Sequence, residues 1–270
     1  MMSALARLLM LSATSLLAVS AAYAQRSIPS TFDNYGYRAF DSSGTQCGYG
    51  YVDASAGGLL SLTAASGAAA ASDDGGAVVN LVAPFQLYGV SGNSLVASSN
   101  GYLAAASDLG AEDGGDFSGD CPLPAIADNA AASQTRIYAY HADLDGAPNV
   151  GSMYAQYFAT CPRAGEFGVP EACTVVQWQS WAMRSQTGVL NMEAVLYHTT
   201  FEIALQYQTL DASLGATATI GTQSNNATSG NAYGCGGSRP LAPAMAVCFF
   251  DPRYVPVQID RIVANGFETP

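Results

Sequence analysis

The sequence has no lysine, and only 11% of its 270 residues are charged, so all nine basic groups are arginines. With 21 acids the formal net charge is −12. A surface of that sign is repelled by phosphate backbones and anionic lipid heads, which argues against nucleic acid as a partner. Cationic groups, divalent metals or neutral glycans suit the charge better. Histidine is almost missing too, with only His141 and His198. There is no G-x-S-x-G elbow, no H-E-x-x-H pair, no phosphate-cradling P-loop and no C-x-x-C. Enzymatic function therefore has no positive support, and the expectation is a protein with no catalytic, cofactor-binding or metal residues. No apolar run beyond the first residues reaches the length of a membrane span, so none is expected in the mature chain.

What is present points to an exported all-β protein. Residues 1–24 read as a signal peptide: Arg7 in a positive start, an apolar stretch over residues 8–19, and Ala22-Tyr23-Ala24 as a small-x-small cleavage site. Removing that segment deletes one arginine and no acid, so the charge moves to about −13. A chain that is 49% hydrophobic can then bury one large core, expected over residues 25–256 as a single domain, with a C-terminal tail over 257–270.

Six cysteines, an even number in an exported chain, imply disulfides rather than metal thiolates. Cys161 and Cys173 bracket a Pro/Gly-rich loop between two strand-like runs, so a bridge there staples the base of a hairpin. Proximity pairs Cys235 with Cys248, which leaves Cys47 with Cys121 by elimination.

Residues 83–103 anchor the strand pattern. Gly89 and Gly92 mark a turn region, and Asn100-Gly101 between apolar runs is a strong hairpin signal, because both residues tolerate the positive φ of a type I′ turn. Aromatic alternation over residues 47–53 predicts a half-buried strand. Residues 174–183 alternate as a strand with one wet side: Thr174, Val176 and Trp178 share the core face, while Val175, Gln177 and Gln179 share the other. Trp181 is a core residue or, if exposed, a platform for stacking sugars. Residues 192–207 form two strands around His198, with Phe201, Ile203, Leu205 and Tyr207 on one face.

Three groups of polar residues qualify as candidate sites. The loop 108–120 carries acids at Asp108, Glu112, Asp113, Asp116 and Asp120; it could wrap Ca²⁺, but the spacing is not that of an EF-hand and a solvated loop is the simpler expectation. His141 with Asp143 suggests an acid/base or metal pair, against a plain strand-end histidine. Glu193 and Glu202 could be the paired carboxylates of a glycosidase, against two acids on a solvated face. Asp73-Asp74-Gly75-Gly76 reads as the end of a loop.

The order PFQLYG, VASSNGYLA, IYAYHADL, VVQWQSW, MEAVLYHTTFEIALQY and ATIGTQ resembles the nidogen-like (NIDO-type) extracellular module of bacterial exported proteins. The resemblance covers residues 79–222. The chain departs from the pattern at His141-Ala142-Asp143, where the family usually shows Trp-Asp-Asp, and in its cysteines. Residues 259–270 resemble the "ADGFE"-type tail of exported Gram-negative proteins. The resemblance implies an all-β, disulfide-stapled antiparallel β-sandwich, jelly-roll-like, lying outside the cell or on its outer surface, with the periplasm as the alternative location. It implies a non-catalytic adhesion or interaction module for an extracellular protein or glycan. The alternatives are a secreted glycan-binding or glycan-active protein and a passive envelope component.

Overall fold

The computed structural model describes residues 31–104, 111–125, 135–211 and 218–254. The expected signal peptide, the tail and Asp108 lie outside the described residues.

The chain opens with β1 (Thr31–Phe32) and β2 (Arg38–Asp41), then the short β3 (Gly58–Leu59) and β4 (Thr63–Ala64). A long hairpin, β5 (Gly75–Leu87) and β6 (Val90–Ser98), leads to β7 (Tyr102–Ala104), β8 (Arg136–His141) and β9 (Leu144–Asp145). Next come β10 (Ser152–Phe158), β11 (Cys173–Met183), β12 (Leu190–Tyr197) and β13 (Ile203–Leu210). The last strands are β14 (Thr219–Gln223), β15 (Gly230–Cys235) and β16 (Met245–Phe250).

These strands make two antiparallel sheets in one domain. The larger runs β1-β2-β16-β13-β12-β11-β10-β3, with β9 paired to the far end of β11; the smaller runs β15-β14-β8-β7-β6-β5-β4. Their inner faces meet in a core that includes Leu95, Leu103, Ile137, Trp178, Met192, Leu196, Leu205, Tyr207 and Phe249. Two of the large polar-tipped rings in this core find partners across it. The Trp178 indole donates to the Ser98 carbonyl at 2.8 Å, and the Tyr207 hydroxyl donates to the Ala139 carbonyl at 2.6 Å. Each bond ties one sheet to the other, which is the condition for burying such a ring without an orphaned donor.

The anchor region folds as a pair of hairpins, with a difference in turn chemistry. The β5–β6 connection is the two-residue loop Tyr88-Gly89, both at positive φ (50° and 78°), so the I′-type backbone sits there. At the β6–β7 turn only Gly101 is left-handed (φ 77°), and its N–H donates to the Ser98 carbonyl at 3.2 Å. That is a longer, bulged turn rather than type I′. A Cβ on Gly101 would also collide with the Tyr140 carbonyl, so glycine is required twice over.

The outer faces of the central strands are covered, which overturns the expectation of a wet side on β11. Val175 and Gln177 are as buried as Val176 and Trp178. The cover on the larger sheet is the segment expected to be a strand. Residues 48–54 form no ladder of their own but cross the sheet, and their alternate N–H groups bond to side chains. Gly50 donates to Gln206 Oε1 at 2.7 Å, Val52 to Glu193 Oε1 at 3.0 Å and Ala54 to Gln177 Oε1 at 2.7 Å. Gln206, Glu193 and Gln177 are register partners on β13, β12 and β11, so this strap steps across one lateral row of the sheet. Val52 and Ala54 pack under it against Val175, Val195 and Ala204.

Three disulfides hold the structure: Cys47–Cys248, Cys121–Cys235 and Cys161–Cys173. The last closes the base of the β10–β11 hairpin where the loop composition placed it. The expected pairs Cys235–Cys248 and Cys47–Cys121 are incorrect. Cys235 and Cys248 are near in sequence but sit on β15 and β16, which belong to different sheets. Cys248 faces outward under the strap that carries Cys47, and Cys121 lies beside β14 and β15.

Candidate functional site

Glu193 and Glu202 are not on a solvated face; both are fully buried. Glu193 is the central support of the strap, accepting from the Val52 N–H and from Gln206 Nε2. Burial pushes its carboxyl up to about 8, against the lowering effect of those donors. Glu202 accepts from Arg163 Nη1 at 3.0 Å and from the Glu166 N–H at 2.9 Å. Burial raises it to about 7, with Arg163 opposing. Arg163 also bonds Glu166, Tyr197 and the Gly48 carbonyl, so it knits the 161–173 loop to the start of the strap. The two glutamates therefore serve different anchors and do not flank a common space.

The acidic loop is also not simply solvated. Asp116 and Asp120 reach inward onto the outer face of the smaller sheet, where Arg136 Nη1 lies 2.5 Å from Asp116 and 3.4 Å from Asp120. Tyr138 donates to Asp120 at 2.9 Å, and the guanidinium lies 4.5 Å from the Tyr102 ring centroid. Burial works to raise Asp116, but Arg136 and His141 outweigh it and hold the carboxyl below its ordinary value. Asp120 is raised, chiefly by burial. The cluster thus contains its own buried cation. Together with the Cys121–Cys235 bridge it fixes residues 114–125 as the second outer cover.

His141 belongs to this cluster and is fully buried. Its Nδ1 is 3.0 Å from the Asn100 carbonyl, its Nε2 is 3.8 Å from Asp120, and burial lowers its pKa against the raising effect of Asp116 and Asp120. The pairing of His141 with Asp143 does not occur. β8 ends at His141 and the chain bends, so the two side chains enter different clusters. His198 is tied up elsewhere, with Thr174 Oγ1 at 2.9 Å and the Pro84 carbonyl at 3.1 Å.

Asp143 instead joins Asp73 and Asp74 at one corner of the sandwich. One carboxylate oxygen from each lies within 4.8 Å of the others. Asp73 and Asp74 immediately precede β5, and Asp143 sits between β8 and β9, so two strand junctions converge. Arg184, at the end of β11, places Nη1 2.9 Å from Asp73 and 4.0 Å from Asp74, but its side chain is 47% exposed. Sequence reasoning passed over Asp73 and Asp74 as a loop end. The available signal was an adjacent acid pair at a strand start, with no basic residue nearby in sequence.

Trp181 is fully buried, which removes it as a sugar platform. A bulge between Trp178 and Trp181, with Ser180 at φ 60°, puts two tryptophans three residues apart on the same inward side. Simple alternation places them on opposite faces.

The molecule is thus a disulfide-stapled two-sheet module of extracellular type, whose polar clusters mostly serve to fasten its covers. The model of the family described as NIDO related matches residues 49–241, and the chain belongs to that family. No curated protein and no solved structure matches it. Among the described residues no helix is long and apolar enough to cross a membrane.

Proposed function

We propose that this protein is an exported, non-catalytic interaction module that holds an extracellular protein or polysaccharide. The observation that carries this reading is the fate of its reactive side chains. Glu193, Glu202, His141 and Trp181 are all buried, and the two glutamates are occupied by separate internal donors. A glycosidase needs two carboxylates converging on one bond, and a sugar platform needs an open aromatic face. Three disulfides suit an oxidising compartment, and family membership supports an extracellular setting. The contact surface then falls to exposed loops and turns on a rigid scaffold.

The test is affinity capture from the envelope and medium of the producing cell, with the oxidised protein as bait and retained proteins and glycans analysed. One dominant species, displaced by free bait, is the expected result. Recovery of bait alone refutes the reading and favours a passive envelope component.

A further inference from the structure

We propose that Asp73, Asp74 and Asp143 form a divalent-cation site, and that calcium is the ion it takes. The site stands whatever partner the module holds. Proximity of three acids is not enough, and two further observations point to a ligand. Asp73 is only 7% exposed, and its Oδ1 is buried with no hydrogen-bond partner. The Oδ1 of Asp143 is buried and unpartnered in the same way. A buried carboxylate oxygen without a donor is costly, and a cation is the natural complement.

The frame around these oxygens is already built. Ser99 Oγ donates to the Asp73 carbonyl at 2.6 Å, and the Arg184 N–H donates to the Asp143 carbonyl at 2.9 Å. Asn100 Nδ2 holds Asp74 Oδ1 at 3.0 Å, while Asn100 Oδ1 accepts the Leu144 N–H at 2.8 Å. One asparagine thus fixes the corner from the β6–β7 turn.

Charge is left over at this corner. Asp145 also acts on Asp73 and Asp143, so among the described residues Arg184 alone faces four acids. Asp73 and Asp143 are both raised, first by burial and then, against the opposing effect of Arg184, by neighbouring carboxylates. The other two groups near enough to ligate among the described residues differ. Asp116, Asp120 and His141 have the buried Arg136, and the group of Cys47, Glu166 and Cys248 contains a closed disulfide.

All donors here are oxygens, which selects a hard cation over zinc or copper. Calcium accepts six to eight oxygens in flexible geometry, with waters completing the set, whereas magnesium demands a regular octahedron. Extracellular modules hold calcium with a Kd of about 10⁻⁴–10⁻³ M.

The test is calcium titration of the chelator-stripped full chain by calorimetry, with melting followed in EGTA and in CaCl₂. One saturable site is expected, weaker for magnesium. Calcium at roughly 100 times Kd should raise Tm by about 5 °C. Asp143→Asn should melt at or above the unsubstituted protein in EGTA, because repulsion is relieved, and lose at least about tenfold in calcium affinity. Arg184→Gln changes a half-exposed side chain and should fold; removing the competing cation should tighten calcium severalfold. No saturable binding to the unsubstituted chain overturns the proposal. So does undiminished binding to Asp143→Asn, or unchanged or weaker binding to Arg184→Gln.

Discussion

The strap makes stability fall as pH rises, and Glu193 is where this can be measured. Its carboxyl is raised from 4.5 to about 8, chiefly by burial beneath residues 50–54. A group raised in the folded state contributes stability that is complete below its unfolded value and is lost as pH rises through the folded one. Each pKa unit corresponds to about 1.36 kcal/mol, so full ionisation of Glu193 costs about 5 kcal/mol between pH 4.5 and 8. Glu202, raised to about 7, adds a loss that ends roughly one unit earlier. Thermal unfolding at constant ionic strength from pH 5 to pH 9 should therefore show a declining Tm. Glu193→Gln keeps an acceptor for the Val52 N–H and removes the titration. Above pH 7, where Glu202 is spent, the unsubstituted protein should keep losing stability while Glu193→Gln levels off. For a domain of this size about 1 kcal/mol moves Tm by roughly 2–4 °C, so the gap is readily resolved. Parallel declines for the two proteins above pH 7 would refute the reasoning, as would a Tm that rises over the whole range.

Three further outcomes follow from the same geometry. Gly101→Ala should lower the free energy of unfolding by about 2 kcal/mol or more in urea, because it meets both a positive φ and the Tyr140 carbonyl; a loss below about 0.5 kcal/mol contradicts the turn geometry. Removing the Cys47–Cys248 bridge should cost about 5 kcal/mol in the chain-entropy model, against about 3 for Cys161–Cys173, whose residues are 12 apart rather than 201. Non-reducing peptide maps that join Cys235 to Cys248 would reject this pattern. Arg136→Ala leaves Asp116 and Asp120 buried without their cation and should cost about 3–5 kcal/mol near neutral pH; the loss should shrink in acid, where those carboxyls protonate.

Much of the fold was legible in the sequence because most strands obey simple periodicity. The runs at 192–197 and 203–207 alternate faithfully, and the Cys161–Cys173 staple is a local event. The outer layers were not legible, for one physical reason. A carboxylate in a strand looks the same whether it meets water or a crossing backbone segment, and only tertiary structure supplies the Val52 N–H above Glu193 or Arg136 beside Asp116. The bulge at Ser180 shifts Trp181 by one position, which pattern reading has no means to detect. The acidic corner was hidden because its members come from positions 73, 74 and 143, and only the closure of the smaller sheet brings them together.

The strap also sets the order in which the molecule can be completed. Its supports, Gln177, Glu193 and Gln206, lie more than 120 residues after the backbone they hold, and the bridge that locks it joins residues 201 apart. Cys47 therefore emerges early and must wait as a free thiol until nearly the whole chain has followed. Cys121 waits in the same way for Cys235, 114 residues later. During that interval the two earliest thiols are available to each other, and a Cys47–Cys121 bridge is a natural misfolded intermediate. Slow maturation through disulfide exchange is the consequence, with the outer covers closing last.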